Sequence, residues 1–226
     1  MSKRIGILGG ISYESTKHYY ELIHKKYYDR KHDYYFPEVV VFSLNFQRFS
    51  DYENSDTGKY IAYILEGIRG LEAAKVDCII MAANSPHSVY RQLMTQTSIP
   101  IYSICDATMR RAKELKLKRL LLLGIKHTMD SEFYPESGMK NDIDVIVPTE
   151  EQKRTIDDII FSELCVGRVS ELSRENLLAI ISNYTVDGVI LGCTELPQII
   201  KEDDLNVEVL NTLDIHVEAV LQGCLK

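Results

Sequence analysis

The chain has 226 residues, 45% of them apolar and 26% charged, and its 33 acidic against 26 basic residues give a formal net charge of −7. That length buries a real core as one large domain or two small ones, and the composition is that of a globular protein. The negative balance argues against nucleic acid or an anionic membrane as the main partner, and no run approaches the ~18 apolar residues of a membrane span.

Residues 4–10 read as a first strand running into a glycine turn. The apolar run from Ile5 to Ile11 is too short, and too bounded by glycine, for the core of a secretory leader. Ser12 is expected to cap a helix reaching about residue 30, with Tyr20, Ile23, Lys26 and Tyr27 at helical spacing and Glu14 in the first turn, where the helix dipole favours an acid. Residues 38–44 form a second strand. From 45 to 58 the chain is polar and broken, which predicts a loop over a site at the sheet's edge. Residues 57–74 are an amphipathic helix with Ile61, Ile64, Leu65, Ile68 and Leu71 on one face. A third strand covers 78–83, and Ser85-Pro86 then marks a helix start, serine as cap and proline at the first helical position. Residues 99–104 are a fourth strand and 106–115 a helix. The basic cluster from Arg110 to Arg119 is the wet face and last turn of that helix.

The pattern then restarts. Residues 119–125 match 4–10, and Thr128 stands near the start of the next helix as Ser12 does in the first half. Residues 144–148 are a strand, 150–164 and 173–182 helices, 189–192 and 208–210 strands, and 215–224 an amphipathic helix expected to pack back on the first half. Val186-Asp187-Gly188-Val189-Ile190-Leu191-Gly192-Cys193-Thr194-Glu195 repeats Val76-Asp77-Cys78-Ile79-Ile80-Met81-Ala82-Ala83-Asn84-Ser85. Both have a Val-Asp turn, an apolar run, a small-residue pair and a polar pair. Such short apolar runs suit parallel strands covered on both faces, and alternation with helices means right-handed crossovers. The fold class is α/β: two pseudo-symmetric doubly wound parallel-sheet subdomains with the active site between them, the first made of residues 1–103 plus 213–226 and the second of 104–212. Ligands in such sheets bind beyond the carboxyl ends of the strands. Gly6-Ile7-Leu8-Gly9-Gly10 is not G-x-G-x-x-G and no P-loop is present, which disfavours a nucleotide.

The five cysteines, at 78, 105, 165, 193 and 224, show no metal-binding spacing, so no metal is expected. An odd count of scattered thiols suits a reducing cytoplasm, the expected location. A homodimer is the expected assembly. Tyr27-Tyr28 and Tyr34-Tyr35 are candidates either to cover its interface or to lie in the core.

Function turns on one pair of matched positions. At the end of the second-half strand stands a thiol, Cys193, and its first-half counterpart is Ala83. A thiol just before a helix start has its pKa lowered from ~8.5 by backbone N–H groups and the dipole, which makes it a base at neutral pH. The competing reading is a buried small hydrophobe. Gly-Cys-Thr-Glu is a polar strand end, which favours the functional one.

Gly9-Gly10-Ile11-Ser12-Tyr13-Glu14-Ser15-Thr16, Asn84-Ser85-Pro86-His87 and Gly192-Cys193-Thr194-Glu195 together resemble the aspartate/glutamate racemase family, in particular its aspartate racemase and L-aspartate/glutamate-specific racemase branch. The resemblance extends through Asp106-Ala107-Thr108, Leu123-Gly124 with Thr128-Met129, and Ile159-Ile160-Phe161 to Glu163-Leu164-Cys165, and so covers the whole chain. It implies cofactor-independent inversion at the α-carbon of a small acidic amino acid, aspartate or glutamate, by two bases on opposite faces. Cys193 matches the second catalytic cysteine. The first precedes an Asn-Thr-x-His motif in the family, and here that position is Ala83, where some members of the branch carry threonine. Alanine has no proton to give or take, so either the protein works from one face or Ala83 is an engineered substitution that traps a ligand.

The hard step such chemistry implies is a carbanion beside a carboxylate, which preorganised donors must stabilise. Ser12, Asn84 and Ser85 from the first half and Thr128 and Thr194 from the second are the candidate substrate-binding residues, with backbone N–H groups of helix starts. Ser12 and Thr128 are equally readable as helix caps. Glu195 orients Cys193, meets a substrate ammonium, or caps. Family aspartate racemases use an arginine after the second strand and a lysine on a second-half helix for the side-chain carboxylate. Asp51-Tyr52 and Cys165 stand in those places here, leaving Arg48 as the candidate cation or as a solvated loop charge. His87 is open between packing and catalysis. Two further readings stand beside the racemase: a malonate-type decarboxylase, which keeps only the second cysteine, and a catalytically dead protein that binds acidic amino acids.

Overall fold

Short apolar runs form the centre of two parallel sheets in the computed structural model, which describes residues 3–224. The first sheet is ordered β2-β1-β3-β4. Its elements in chain order are β1 (Arg4–Gly9), α1 (Tyr13–Lys31), β2 (Glu38–Ser43), α2 (Phe46–Glu53), α3 (Thr57–Ala73), β3 (Cys78–Met81), α4 (Tyr90–Met94) and β4 (Ile101–Tyr102). The second sheet is ordered β6-β5-β7-β8. It is built from α5 (Ile104–Glu114), β5 (Arg119–Leu123), α6 (Lys126–Asp130), α7 (Phe133–Met139), β6 (Asp144–Ile146), α8 (Glu150–Ser162), α9 (Glu171–Ser182), β7 (Gly188–Leu191) and β8 (Glu208–Asn211), with α10 (Thr212–Cys224) closing the chain. The chain divides into two units, Met1–Ser103 with His216–Lys226, and Ile104–Ile215.

The repeat seen in the sequence is a repeat of backbone geometry. In the first unit Ile5 to Leu8 of β1 pair in parallel with Cys78 to Met81 of β3, and in the second Leu120 to Leu123 of β5 pair with Gly188 to Leu191 of β7 in the same register. The lower ends are fastened alike. The Asp77 carboxylate accepts from the Arg4 amide at 2.6 Å, and that of Asp187 accepts from the Arg119 amide at 2.8 Å. The upper ends match too, with Ala82 N–H donating to Leu8 O at 2.9 Å and Gly192 N–H to Leu123 O at 2.6 Å.

Both faces of the central strands are covered, which is why they carry no alternating polar residues. In the first unit Ile64, Ile68 and Leu71 of α3 pack on Leu8, Ile79 and Met81. In the second, Ile156 and Ile160 of α8 and Leu177 and Ile181 of α9 pack on Leu121, Leu123, Val189 and Leu191, while Met109, Ala112 and Tyr134 lie with Leu120, Leu122 and Ile190.

Three expectations are corrected. The polar stretch 45–58 is not an open loop, because α2 occupies most of it. Asn45 caps that helix by accepting from the Arg48 amide at 3.0 Å, and Phe49 is buried against Tyr60, so the polar residues are one wet face of a short helix. Ser85 is not a cap. It is the first residue of a 3-10 turn over Ser85–Val89, with Asn84 in the capping position and no side-chain capping bond. The cysteines are not all free thiols either, since Cys78 at the start of β3 and Cys224 at the end of α10 are disulfide-bonded with Cα atoms 6.4 Å apart, leaving Cys105, Cys165 and Cys193 free. A pairing 146 residues apart has no local spacing by which to be read. Among the described residues, no helix is long and apolar enough to cross a membrane.

The later turns of α10 are fixed to the first unit by a buried histidine. His216 Nε2–H donates to the Tyr102 carbonyl at 2.9 Å, and Nδ1 shares a 3.0 Å hydrogen bond with the Tyr19 hydroxyl. Burial, and then the neighbouring His87 ring, pull its pKa down to about 3 against the hydrogen bond to Tyr102. Because the folded value lies below the unfolded one near 6.5, this group's contribution to stability is full above pH 6.5 and is lost as pH falls toward 3. Thermal midpoints measured across that window should fall with acid, and His216→Gln should flatten the slope while lowering the midpoint at neutral pH. An unchanged slope would assign the acid response to other groups.

Gly10 makes the turn that leads from β1 into α1. Its φ is +80°, and an added Cβ would collide with the Leu44 carbonyl oxygen. Gly10→Ala should destabilise the protein by about 2 kcal/mol or more in denaturant titration, since strain and overlap add. A loss below about 0.5 kcal/mol, the range of an ordinary surface change, would show that the turn relaxes freely.

Candidate active site

The carboxyl end of β7 carries the reactive cluster of the second unit. Beyond Leu191 the chain runs through Gly192 to Cys193, Thr194 and Glu195 before a 3-10 turn over Leu196–Gln198. The Cys193 thiol donates to Glu195 Oε2 at 3.0 Å, and the Thr194 hydroxyl donates to the same oxygen at 2.7 Å. Glu195 makes no side-chain capping bond to the turn it precedes, which removes the capping alternative. Its carboxylate is buried and gathers the two neighbouring side chains instead.

This geometry reverses the expected thiol chemistry. Burial, then the charge of Glu195 and the hydrogen bond to it, push the Cys193 thiol well above the usual thiol range. The following helix is only a three-residue 3-10 turn, too short to supply the dipole that the sequence reading invoked. Cys193 is therefore a protonated thiol held by a carboxylate. Cys165, in a 3-10 turn over Leu164–Val166, is also pushed up, to about 12, by burial and then by the charges of Glu195 and Asp157.

Thr128 completes this half. It lies inside α6 rather than at its cap, because the helix already begins at Lys126 behind Ile125. Its side chain is fully buried, its methyl lies where a Cβ on Gly124 would sit 3.2 Å away, and its hydroxyl has no hydrogen-bond partner. A buried hydroxyl without a partner is costly unless something supplies one. The start of α6 is satisfied by Asp157 of α8, which accepts from the Lys126 amide at 2.6 Å. Local pattern gave no sign of Asp157, since it comes from another helix 31 residues away.

The first unit presents the matching strand ends without the matching chemistry. Ala83, half-buried, follows Ala82, whose carbonyl accepts from the Ser15 hydroxyl at 2.6 Å and so ties the first turn of α1 to the end of β3. Ser12 is a helix cap, accepting from the Ser15 amide at 3.2 Å. Asn84 is buried, and its carbonyl accepts from the His87 amide at 3.0 Å and from His87 Nδ1–H at 3.1 Å. His87 stacks on Tyr90 in the same buried region as His216. The Ser85 hydroxyl bonds to buried Tyr60, whose own hydroxyl donates to Glu53. Arg48 lies on the exposed face of α2, its guanidinium 4.5 Å from the centre of the Tyr63 ring and its Nε–H donating to the Tyr52 hydroxyl at 3.2 Å. Among the described residues, no three His, Cys, Asp or Glu side chains are grouped to hold a metal ion.

Glu195→Gln should bring the Cys193 thiol down by removing the charge beside it. Alkylation at Cys193, followed by peptide mass spectrometry at pH 8, should speed up about tenfold for each unit of pKa lost. An unchanged rate would mean that burial alone sets the thiol.

Residues 8–220 match the family model described as Asp/Glu/Hydantoin racemase. An aspartate racemase homologue from Pyrococcus horikoshii is 34% identical, with 98% of each chain covered and a TM-score of 0.84. The aspartate racemase of Picrophilus torridus shares the fold at 22% identity and a TM-score of 0.80, over 99% of this chain and 94% of its own. The broad specificity amino-acid racemase RacX of Bacillus subtilis is 21% identical over 92% of both chains.

Proposed function

The chain belongs to the Asp/Glu/hydantoin racemase family, isomerases by their named activities, and on that premise we propose that it exchanges the α-proton of an acidic amino acid without a cofactor, using Cys193. Aspartate is the first candidate substrate, because two of the similar structures are named for it, and glutamate the second. The observation that carries the reading is the Cys193 thiol donating to Glu195 at 3.0 Å. The ammonium group of a bound amino acid offsets the negative charge beside the sulfur, so that the thiol proton passes to the Glu195 carboxylate and leaves a thiolate. Thiolate then removes the α-proton: the C–H bond breaks, an S–H bond forms, and the electron pair stays on the α-carbon and its carboxylate. Returning a proton from the same sulfur restores the same enantiomer, labelled if the thiol has exchanged with solvent.

Thr128 supports this reading, since its unpartnered hydroxyl is a donor available to an incoming carboxylate. Thr194 helps to hold Glu195 in place. In the first unit Asn84 is the proposed polar contact, while Ser12, Ser85 and Arg48 are engaged with Ser15, Tyr60 and the Tyr52–Tyr63 pair. Ala83 carries no proton, which makes the proposed chemistry one-sided. The same alanine favours a second reading, protonation from one side of the carbanion left when a malonate-type acid loses carbon dioxide.

Incubation in D₂O with L- and D-aspartate and L- and D-glutamate, each supplied alone, should label one enantiomer without inverting it. Ala83→Cys should gain inversion, and Cys193→Ala should abolish exchange. Absence of exchange from all four amino acids in both the parent and Ala83→Cys would overturn the proposal. Carbon dioxide release from malonate-type acids would then favour the decarboxylase.

A further inference from the structure

The helix that carries Thr128 is held from outside itself. α6 is five residues long and starts behind Ile125, whose side chain makes no capping bond. So short a helix has little hydrogen bonding of its own and persists only where tertiary contacts hold it. α8 supplies them at both ends. At the start, Asp157 Oδ1 accepts from the Lys126 amide at 2.6 Å. At the far end, Asp130 accepts from the buried Lys153 ammonium at 2.7 Å.

The two anchors differ in kind. Lys126 and Lys153 both give their ammonium groups to Asp130 and Glu150, which form one ion-pair cluster. Asp157 instead spends its carboxylate on backbone. Burial raises its pKa above the usual carboxylate value, against the hydrogen bond from the Lys126 amide. A half-buried acid is costly, and the amide it meets is what holds it in place.

Thr128 stands two residues beyond that anchored amide. Its methyl lies 3.2 Å from where a Cβ on Gly124 would sit and 3.5 Å from where one on Gly192 would, which wedges it against both strand ends, beside the residue that precedes Cys193. Its hydroxyl is buried and unpartnered. Such a hydroxyl keeps its direction only while its short helix is held, and a misplacement of about 1 Å costs on the order of 10²-fold in an oriented reaction.

We propose that Asp157 is a positioning residue: by fixing the start of α6 it aims the Thr128 hydroxyl at the strand end that bears Cys193. This role rests on the α-proton exchange proposed for Cys193 and adds to it the group that sets the carboxylate contact.

A double-mutant cycle tests it, read by α-proton exchange in D₂O on whichever of the four amino acids the parent labels fastest. Asp157→Ala should lower kcat/KM about tenfold, mostly through KM. Asp157→Asn keeps an oxygen for the Lys126 amide and should recover most of that loss. Thr128→Val removes the hydroxyl and keeps the shape, and it should cost at least as much as Asp157→Ala. Adding Asp157→Ala to Thr128→Val should then cost less than about twofold more. Effects that multiply in the double variant, or an Asp157→Ala protein that exchanges at the parental rate, overturn the proposal. A second arm needs no substrate. The Met129 amide, bonded to Ile125 O at 3.1 Å, should exchange hydrogen faster in Asp157→Ala and at close to the parental rate in Asp157→Asn. Unchanged protection in Asp157→Ala overturns the proposal too. If Asp157→Ala does not fold, Asp157→Glu, which displaces the acceptor by one methylene, takes its place in both arms. A parent that exchanges no α-proton sinks the substrate reading instead, and the Met129 amide then decides alone whether Asp157 fixes α6.

Discussion

Everything at the candidate site depends on how closely two central strands approach at their carboxyl ends. In the second unit the Gly192 amide donates to Leu123 O at 2.6 Å, and a Cβ on Gly192 would come within 2.8 Å of that same oxygen. A Cβ on Gly124 would lie 3.0 Å from Gly192 O. In this unit Gly124 and Gly192 leave room for the two backbones to close. Parallel pairing then delivers Cys193, Thr194 and Glu195 together just past the sheet, where the backbone turns away and side chains are free to point at a ligand. The first unit makes the matching bond from Ala82, a residue with a side chain, to Leu8 O at 2.9 Å, and its glycines serve other contacts: a Cβ on Gly9 would meet the Thr16 side chain and one on Gly10 the Leu44 backbone.

Identical scaffolding has diverged in charge. The first unit is neutral where the second carries a carboxylate: alanine stands at the position matching the thiol, and the buried rings of Tyr19, His87 and His216 are arranged around an uncharged imidazole. The second unit concentrates a thiol, a carboxylate and an unpartnered hydroxyl at one strand end. A buried carboxylate next to a thiol keeps the proton on sulfur, because two anions so close would cost more than either alone. In the proposed chemistry an incoming ammonium group offsets that penalty, so that amino-acid binding releases the thiolate. Substrate charge and base strength are thereby coupled in the proposed chemistry.

Much of this was legible in the residues. The two apolar runs, the Val-Asp turns ahead of them and the small-residue pairs after them announced a duplicated parallel sheet, because burial on both faces leaves an uninterrupted apolar signature. Ser12 followed by Glu14 marked the start of α1, since capping is a contact between residues three apart. Cys193 stood out as a thiol at a polar strand end. These features are local, and local pattern is what a sequence displays.

Other features arise only when distant segments meet. Asn45 to Glu53 looks like broken polar chain until Phe49 finds Tyr60, and only then is a short helix stabilised. Asp157 reaches the start of α6 from another helix, and the Cys78–Cys224 pair joins residues at opposite ends of the chain. By analogy with Ser12, Thr128 is equally readable as a cap or a substrate contact, and its place inside α6 rules out the cap and makes it a buried hydroxyl. The charge state of Cys193 is the sharpest case. The sequence determined that a thiol would stand beside Glu195 at the end of a buried strand, but the direction of its pKa was decided by tertiary structure. Desolvation and the distance to a carboxylate are properties of packing, and neither is written in the order of the residues.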